Sequence, residues 1–156
     1  MNLLYFDEII DRVLKLENKG IISLASNKKL NFKDLSNYKL FPDDFKYLLE
    51  ILGFCSFSIG DSYLLLCIMI EELDQDDFDF LDSWSENPLL RKDKNKLFIA
   101  RNVDSAFFAY NLDAKQIFLM EYCGHVNKYH NVFELIEREV VKPGEELLKL
   151  ANQEIT

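Results

Sequence analysis

Leu97-Phe98-Ile99-Ala100-Arg101, Ala106-Phe107-Phe108-Ala109-Tyr110 and Gln116-Ile117-Phe118-Leu119-Met120-Glu121-Tyr122 are three short runs rich in aromatic and branched side chains. Their separators are Asn102-Val103-Asp104-Ser105 and Asn111-Leu112-Asp113-Ala114-Lys115, both of hairpin length. Three such runs joined this way predict an antiparallel meander. Upstream, Cys55-Ser56-Phe57-Ser58-Ile59 alternates as a half-buried strand does, and Gly60-Asp61 is a turn signal. The continuous apolar run Tyr63 to Ile70 fits a central strand. The sheet therefore has five to six expected strands.

Helical spacing brackets this sheet. Phe6, Ile9, Ile10, Val13 and Leu14 form one stripe over residues 3–16, and Gly20 closes it. Residues 21–40 are ambiguous: Ile21-Ile22-Ser23-Leu24 suits a short strand, while Lys28-Lys29 and Ser36-Asn37 suit loop. Phe41, Phe45, Leu48, Leu49 and Leu52 predict a second helix opened by Pro42 and ended by Gly53. Asp43 and Asp44 in its first turn complement the helix dipole. Asn131 with Glu134 resembles a capping box before Phe133, Ile136 and Val140. Pro143-Gly144 is expected to stop that helix, with one or two further turns over 145–152. The order predicts an α+β fold, with N-terminal and C-terminal helices packed on one face of the sheet.

The chain has 156 residues, which suits one domain over 1–156. Apolar residues make up 49% and charged residues 29%, so a buried core is expected and disorder is not. The net charge of −9 argues against nucleic acid and anionic membrane as direct partners. Met1 to Glu8 carries no basic n-region, and Tyr63 to Ile70 is far short of a spanning helix. Cys55, Cys67 and Cys123 are odd in number and widely spaced, which predicts reduced thiols and a cytosolic location.

The charge is concentrated. Glu71, Glu72, Asp74, Asp76, Asp77, Asp79, Asp82 and Glu86 fall within residues 71–86, with no Lys or Arg among them. The other 140 residues sum to −1. Drawn as a helix, Asp79, Asp82 and Glu86 share one arc and Phe80, Leu81 and Trp84 the opposite one. Two readings stand: a patch that steers a basic partner, or a solvated face that keeps the chain soluble. Trp84 is either a core anchor or an interface anchor.

Other chemistries fit less well. A calcium loop counted from Asp74 needs glycine at its sixth position and glutamate at its twelfth, where Asp79 and Ser85 stand. Cys123, His125 and His130 lack the second ligand pair of structural zinc, so no metal is expected. Cys123 and His125 have no nameable oxyanion donor or orienting acid, so no catalytic set is expected. With five glycines in the chain no phosphate loop can be written, and no cofactor is expected. Arg91-Lys92-Asp93-Lys94-Asn95-Lys96 reads as a polar loop offsetting the acids.

Four stretches in order resemble the SMI1/KNR4 (SUKH) superfamily. They are Phe41-Pro42-Asp43-Asp44-Phe45 with Leu48-Leu49 and Gly53, then Leu97 to Asn102, then Ala109 to Asp113 with Ile117-Phe118-Leu119, then Asn131 to Leu135. The resemblance spans residues 41–140. It implies a non-enzymatic α+β domain of the bacterial immunity-protein type, which binds and neutralises the cognate toxin domain of a polymorphic or contact-dependent toxin system. Acidity adds the expectation that this toxin is a cationic nuclease, met by Glu71, Glu72, Asp74, Asp76, Asp77, Asp79, Asp82, Trp84 and Glu86. The alternative is a regulatory scaffold with several weak partners. The open edge of the meander can also pair with a second copy in a homodimer.

Overall fold

Among the described residues, seven strands follow one another across one antiparallel sheet in chain order. They are β1 (Ser23–Asn27), β2 (Phe54–Ile59), β3 (Ser62–Leu66), β4 (Lys96–Asn102), β5 (Phe107–Asn111), β6 (Gln116–Met120) and β7 (Lys128–Tyr129). The α-helices among the described residues are α1 (Leu3–Asn18), α2 (Asp43–Leu52), α3 (Val132–Ile136) and α4 (Lys142–Glu154). The computed structural model describes residues 2–27, 41–66, 96–102, 107–120 and 127–154. The expected α+β meander with helices at both ends is what forms. The sheet's two edges are β1, which takes up the end of the ambiguous Ile21–Leu24 stretch, and the two-residue β7, which the sequence does not announce.

Register decides which side chains go inside. Cross-strand partners share a face, so Leu24, Phe57, Leu64, Ala100, Phe108, Ile117 and Tyr129 point the same way. All but Leu24 are buried, and Leu24 packs against them part-buried. In β4 the register skips Ile99 opposite β5, and both Ile99 and Ala100 are buried. Such a bulge turns two successive side chains toward one side. The opposite face is plainer: Ser23, Ala25, Ser58 and Lys128 are exposed there. The ammonium of Lys128 sits 5.8 Å from the centre of the Phe118 ring on that face.

Turns follow the residue chemistry. Gly60 takes a φ of 55° in the two-residue link between Ile59 and Ser62, as a tight hairpin requires. Gly20 takes 73° behind α1, where Gly20 N–H donates to the Glu17 carbonyl and Ile21 N–H to the Leu16 carbonyl. That bond pair is a Schellman cap, and it delivers Ile22 into the core. Between β5 and β6, Asn111 Oδ1 accepts from the Asp113 and Ala114 amides at 2.9 and 2.8 Å.

The helices close the inner face. Phe6 of α1 stacks on Phe133 of α3 with ring centres 4.1 Å apart. Phe41 meets Phe45 edge-on at 5.0 Å. The expected stop at Pro143-Gly144 does not occur. Residues Glu137–Val141 form a π-helical turn, and the helix runs on to Glu154. The widened turn bonds the Lys142 N–H to the Glu137 carbonyl, one residue further back than in an α-helix. A proline ring clashes in α geometry with the carbonyl four residues before it, and here the turn that holds that carbonyl is π, not α. Gly144 is used for closeness, not for stopping: a Cβ built on it would lie 2.8 Å from Leu16 Cδ1. Among the described residues no helix is long and apolar enough to cross a membrane.

Candidate functional site

β3 and β4 are the third and fourth strands of the sheet and pair with each other, yet 29 residues, 67–95, lie between them in the chain. A hairpin needs ~2–5, and connections beyond ~12–15 are commonly functional. All eight acids and Trp84 belong to this insertion. The expected site residues Glu71, Glu72, Asp74, Asp76, Asp77, Asp79, Asp82, Trp84 and Glu86 thus lie outside the described residues, as do Cys67, Cys123 and His125. The end of the expected central strand, 67–70, lies outside them too.

The roots of the insertion are described. Leu66 pairs with Ala100 and Lys96 with Asn111, so the insertion leaves and rejoins at the sheet end that carries the β5–β6 turn. Tyr129 pairs with Ile117 at the same end, which starts α3 there. Gly53, leading from α2 into β2, also enters at this end, because Phe54 is opposite Asn27 at the close of β1.

Polar side chains order this end. Asp44 Oδ2 accepts the Val132 N–H at 2.9 Å, so a residue of α2 caps α3 from 88 positions away. Burial pushes the Asp44 carboxyl above its usual range, and that backbone N–H works against the rise. Tyr110 is raised by burial and then by the charge of Asp44. Asn131 Oδ1 accepts the Glu134 N–H at 2.9 Å, the forward half of the expected capping box. The return half differs by one residue: Glu134 accepts from the His130 N–H at 2.6 Å, so the box closes ahead of the cap. Tyr129 donates its hydroxyl to Glu139, and the Arg138 guanidinium lies 4.4 Å over the Tyr129 ring.

A second polar group ties α1 to the π turn. Arg12 donates to Glu137 at 2.8 Å and to Glu145, and those two carboxylates hold its guanidinium more basic than usual. Tyr5 donates to Glu137 at 3.1 Å; burial and that carboxylate push its hydroxyl up to about 12. Three Arg12 donors and the Tyr5 hydroxyl reach carboxylates of the C-terminal stretch, so the group binds helix to helix. Cys55 is a buried thiol raised by burial to about 12, which leaves it protonated and unreactive. Among the described residues no three His, Cys, Asp or Glu side chains are placed to hold a metal ion.

The Asp44–Val132 bond and the Arg12 group are absent from the sequence reading. Asp44 was legible as a first-turn acid, but no local pattern links it to position 132. Glu137 opens the π turn and Glu145 lies beyond it, and sequence periodicity does not reveal that turn. Compared with family models, with curated proteins and with solved structures, the chain matches none.

Proposed function

We propose that this chain is an immunity protein of the SUKH type, which binds a cationic toxin domain and neutralises it without chemistry of its own. One observation carries the reading: eight acids lie in the chain between two paired inner strands, β3 and β4, while the β2–β3 and β5–β6 links on either side are tight turns. A framework held by helices across one face can carry such an insertion without its sequence affecting the core. Eight carboxylates within residues 71–86, with no Lys or Arg among them, outweigh the basic cluster that follows at 91–96, and the resulting field attracts a basic surface, which a toxin that grips phosphate has. The α+β order also agrees with what the resemblance over residues 41–140 implies.

The test is growth rescue. The chain is co-expressed with the C-terminal domain of a large secreted toxin encoded beside it. Restored growth with a co-purifying complex is the expected result. Continued killing with both proteins present at equal levels would overturn the reading.

A further inference from the structure

We infer that the apolar arc of the 67–95 insertion, Phe80, Leu81 and Trp84, packs on the outer face of the sheet over strands β4 to β6.

That face is not uniform. By register, Ser23, Ala25, Ser56 and Ser58 stand on its β1–β2 half. Leu65, Phe98, Phe107, Ala109, Phe118 and Met120 stand on the half from β3 to β6. Two alanines of this one face can be compared. Ala25, on the edge strand, is exposed, whereas Ala109 is only 2% exposed. Ala109 faces away from the helices, and among the described residues it is the buried apolar side chain that the core cluster leaves out. Flanking strands shade such a methyl group from the sides, but its outward side stays open unless a further layer meets it. Phe118 beside it is only half-buried. The dry patch therefore calls for an apolar occupant.

Charge points to the chain's own insertion. The seven strands hold no Asp or Glu, and Lys96, Arg101 and Lys128 occupy register positions on the outer face. The insertion that joins β3 to β4 holds eight acids. Opposite charge draws the two together, and the apolar arc supplies the contact. Asp79, Asp82 and Glu86, on the opposite arc, keep to water.

Length permits it. Trp84 stands 18 positions after Leu66 and 12 before Lys96. Twelve extended residues reach as far as ~40 Å. The strands from β3 to β6 are spread over about 15 Å, so the whole patch is within reach. The inner face offers no room, since Phe57, Leu64, Phe108 and Ile117 are already buried in the core that the helices close. A segment joined to the sheet at both ends also meets it without the association cost that a separate partner bears. The inference does not rest on the proposed function, since it needs no toxin. It assigns Trp84 to the fold and leaves the carboxylates to any partner.

Trp84 is the only tryptophan, so its fluorescence reports on this contact alone. In the full chain its emission is expected to lie well to the blue of the urea-unfolded chain, with a several-fold lower acrylamide quenching constant. Phe118→Ala is expected to move the emission to the red and raise the quenching. Ala25→Ser, on the wet half of the same face, is the control and changes neither. Nuclear Overhauser contacts from the indole to the Ala109 methyl or the Phe118 ring are expected in the wild type, and they decide the matter if Phe118→Ala does not fold. A solvent-exposed indole in the native chain, a shielded indole with no contact to either residue, or a folded Phe118→Ala with unaltered emission would overturn the inference.

Discussion

Asp44 shows how one carboxylate links parts of the chain that share no local pattern. It belongs to the first turn of α2 and holds the first free amide of α3. Caps of this kind contribute about 1 kcal/mol, so Asp44→Ala is expected to cost about 1–2 kcal/mol in denaturant titrations. Its pH behaviour has a definite sign. Burial raises its folded pKa above the unfolded 3.8, so the folded chain binds a proton more tightly than the unfolded one. The contribution of Asp44 to stability is therefore greatest in acid, and it declines as pH rises from the unfolded value through the raised one. Denaturation midpoints of wild type and Asp44→Asn, compared from about pH 3.5 to 6.5, should show wild type losing ground as pH rises. A wild-type advantage that grows with pH would contradict the burial argument.

At the scale of elements, the strands and the first two helices were legible because each has a local signature. Alternation marked β2, aromatic runs marked β4 to β6, and the stripe with Pro42 and Gly53 marked α2. β1 was legible only as an ambiguity, and β7 is too short to have a period. The C-terminal helix continues through Pro143 against expectation, because the rule against interior proline assumes α geometry and a π turn precedes it. That continuity yields a prediction. An unrelieved proline inside a helix costs about 3 kcal/mol, and removing it would return about that much. If the π turn has already accommodated the ring, Pro143→Ala should change the unfolding free energy by less than about 1 kcal/mol. A gain near 3 kcal/mol would show that Pro143 is strained where it stands.

For the whole molecule, the candidate site was the easier part to find and the harder to place. Its charge was visible at once, since residues 71–86 hold nearly all of the net −9. Its position between the central strands depends on pairings that form only in the folded sheet. The electrostatic part of the proposal is testable by kinetics. Reversing Asp76, Asp77, Asp79 and Asp82 to lysine should slow association with the cationic toxin domain by about tenfold or more at low salt, and flatten the salt dependence. An association rate that stays the same at low salt would remove steering from the account.

The insertion also has a consequence for the order in which the sheet is assembled. Closing 29 residues of unfolded chain where four would suffice costs about 2 kcal/mol more in chain entropy. That cost falls on bringing β3 to β4, where Leu64, Leu65 and Leu66 meet Asn102, Arg101 and Ala100. The β2–β3 and β5–β6 pairs close short links and need no such search. During refolding, backbone amides of β5 and β6 should gain protection from exchange before those of 64–66 and 100–102. The long connection thus makes the junction of the two halves a late event in the chain's own assembly.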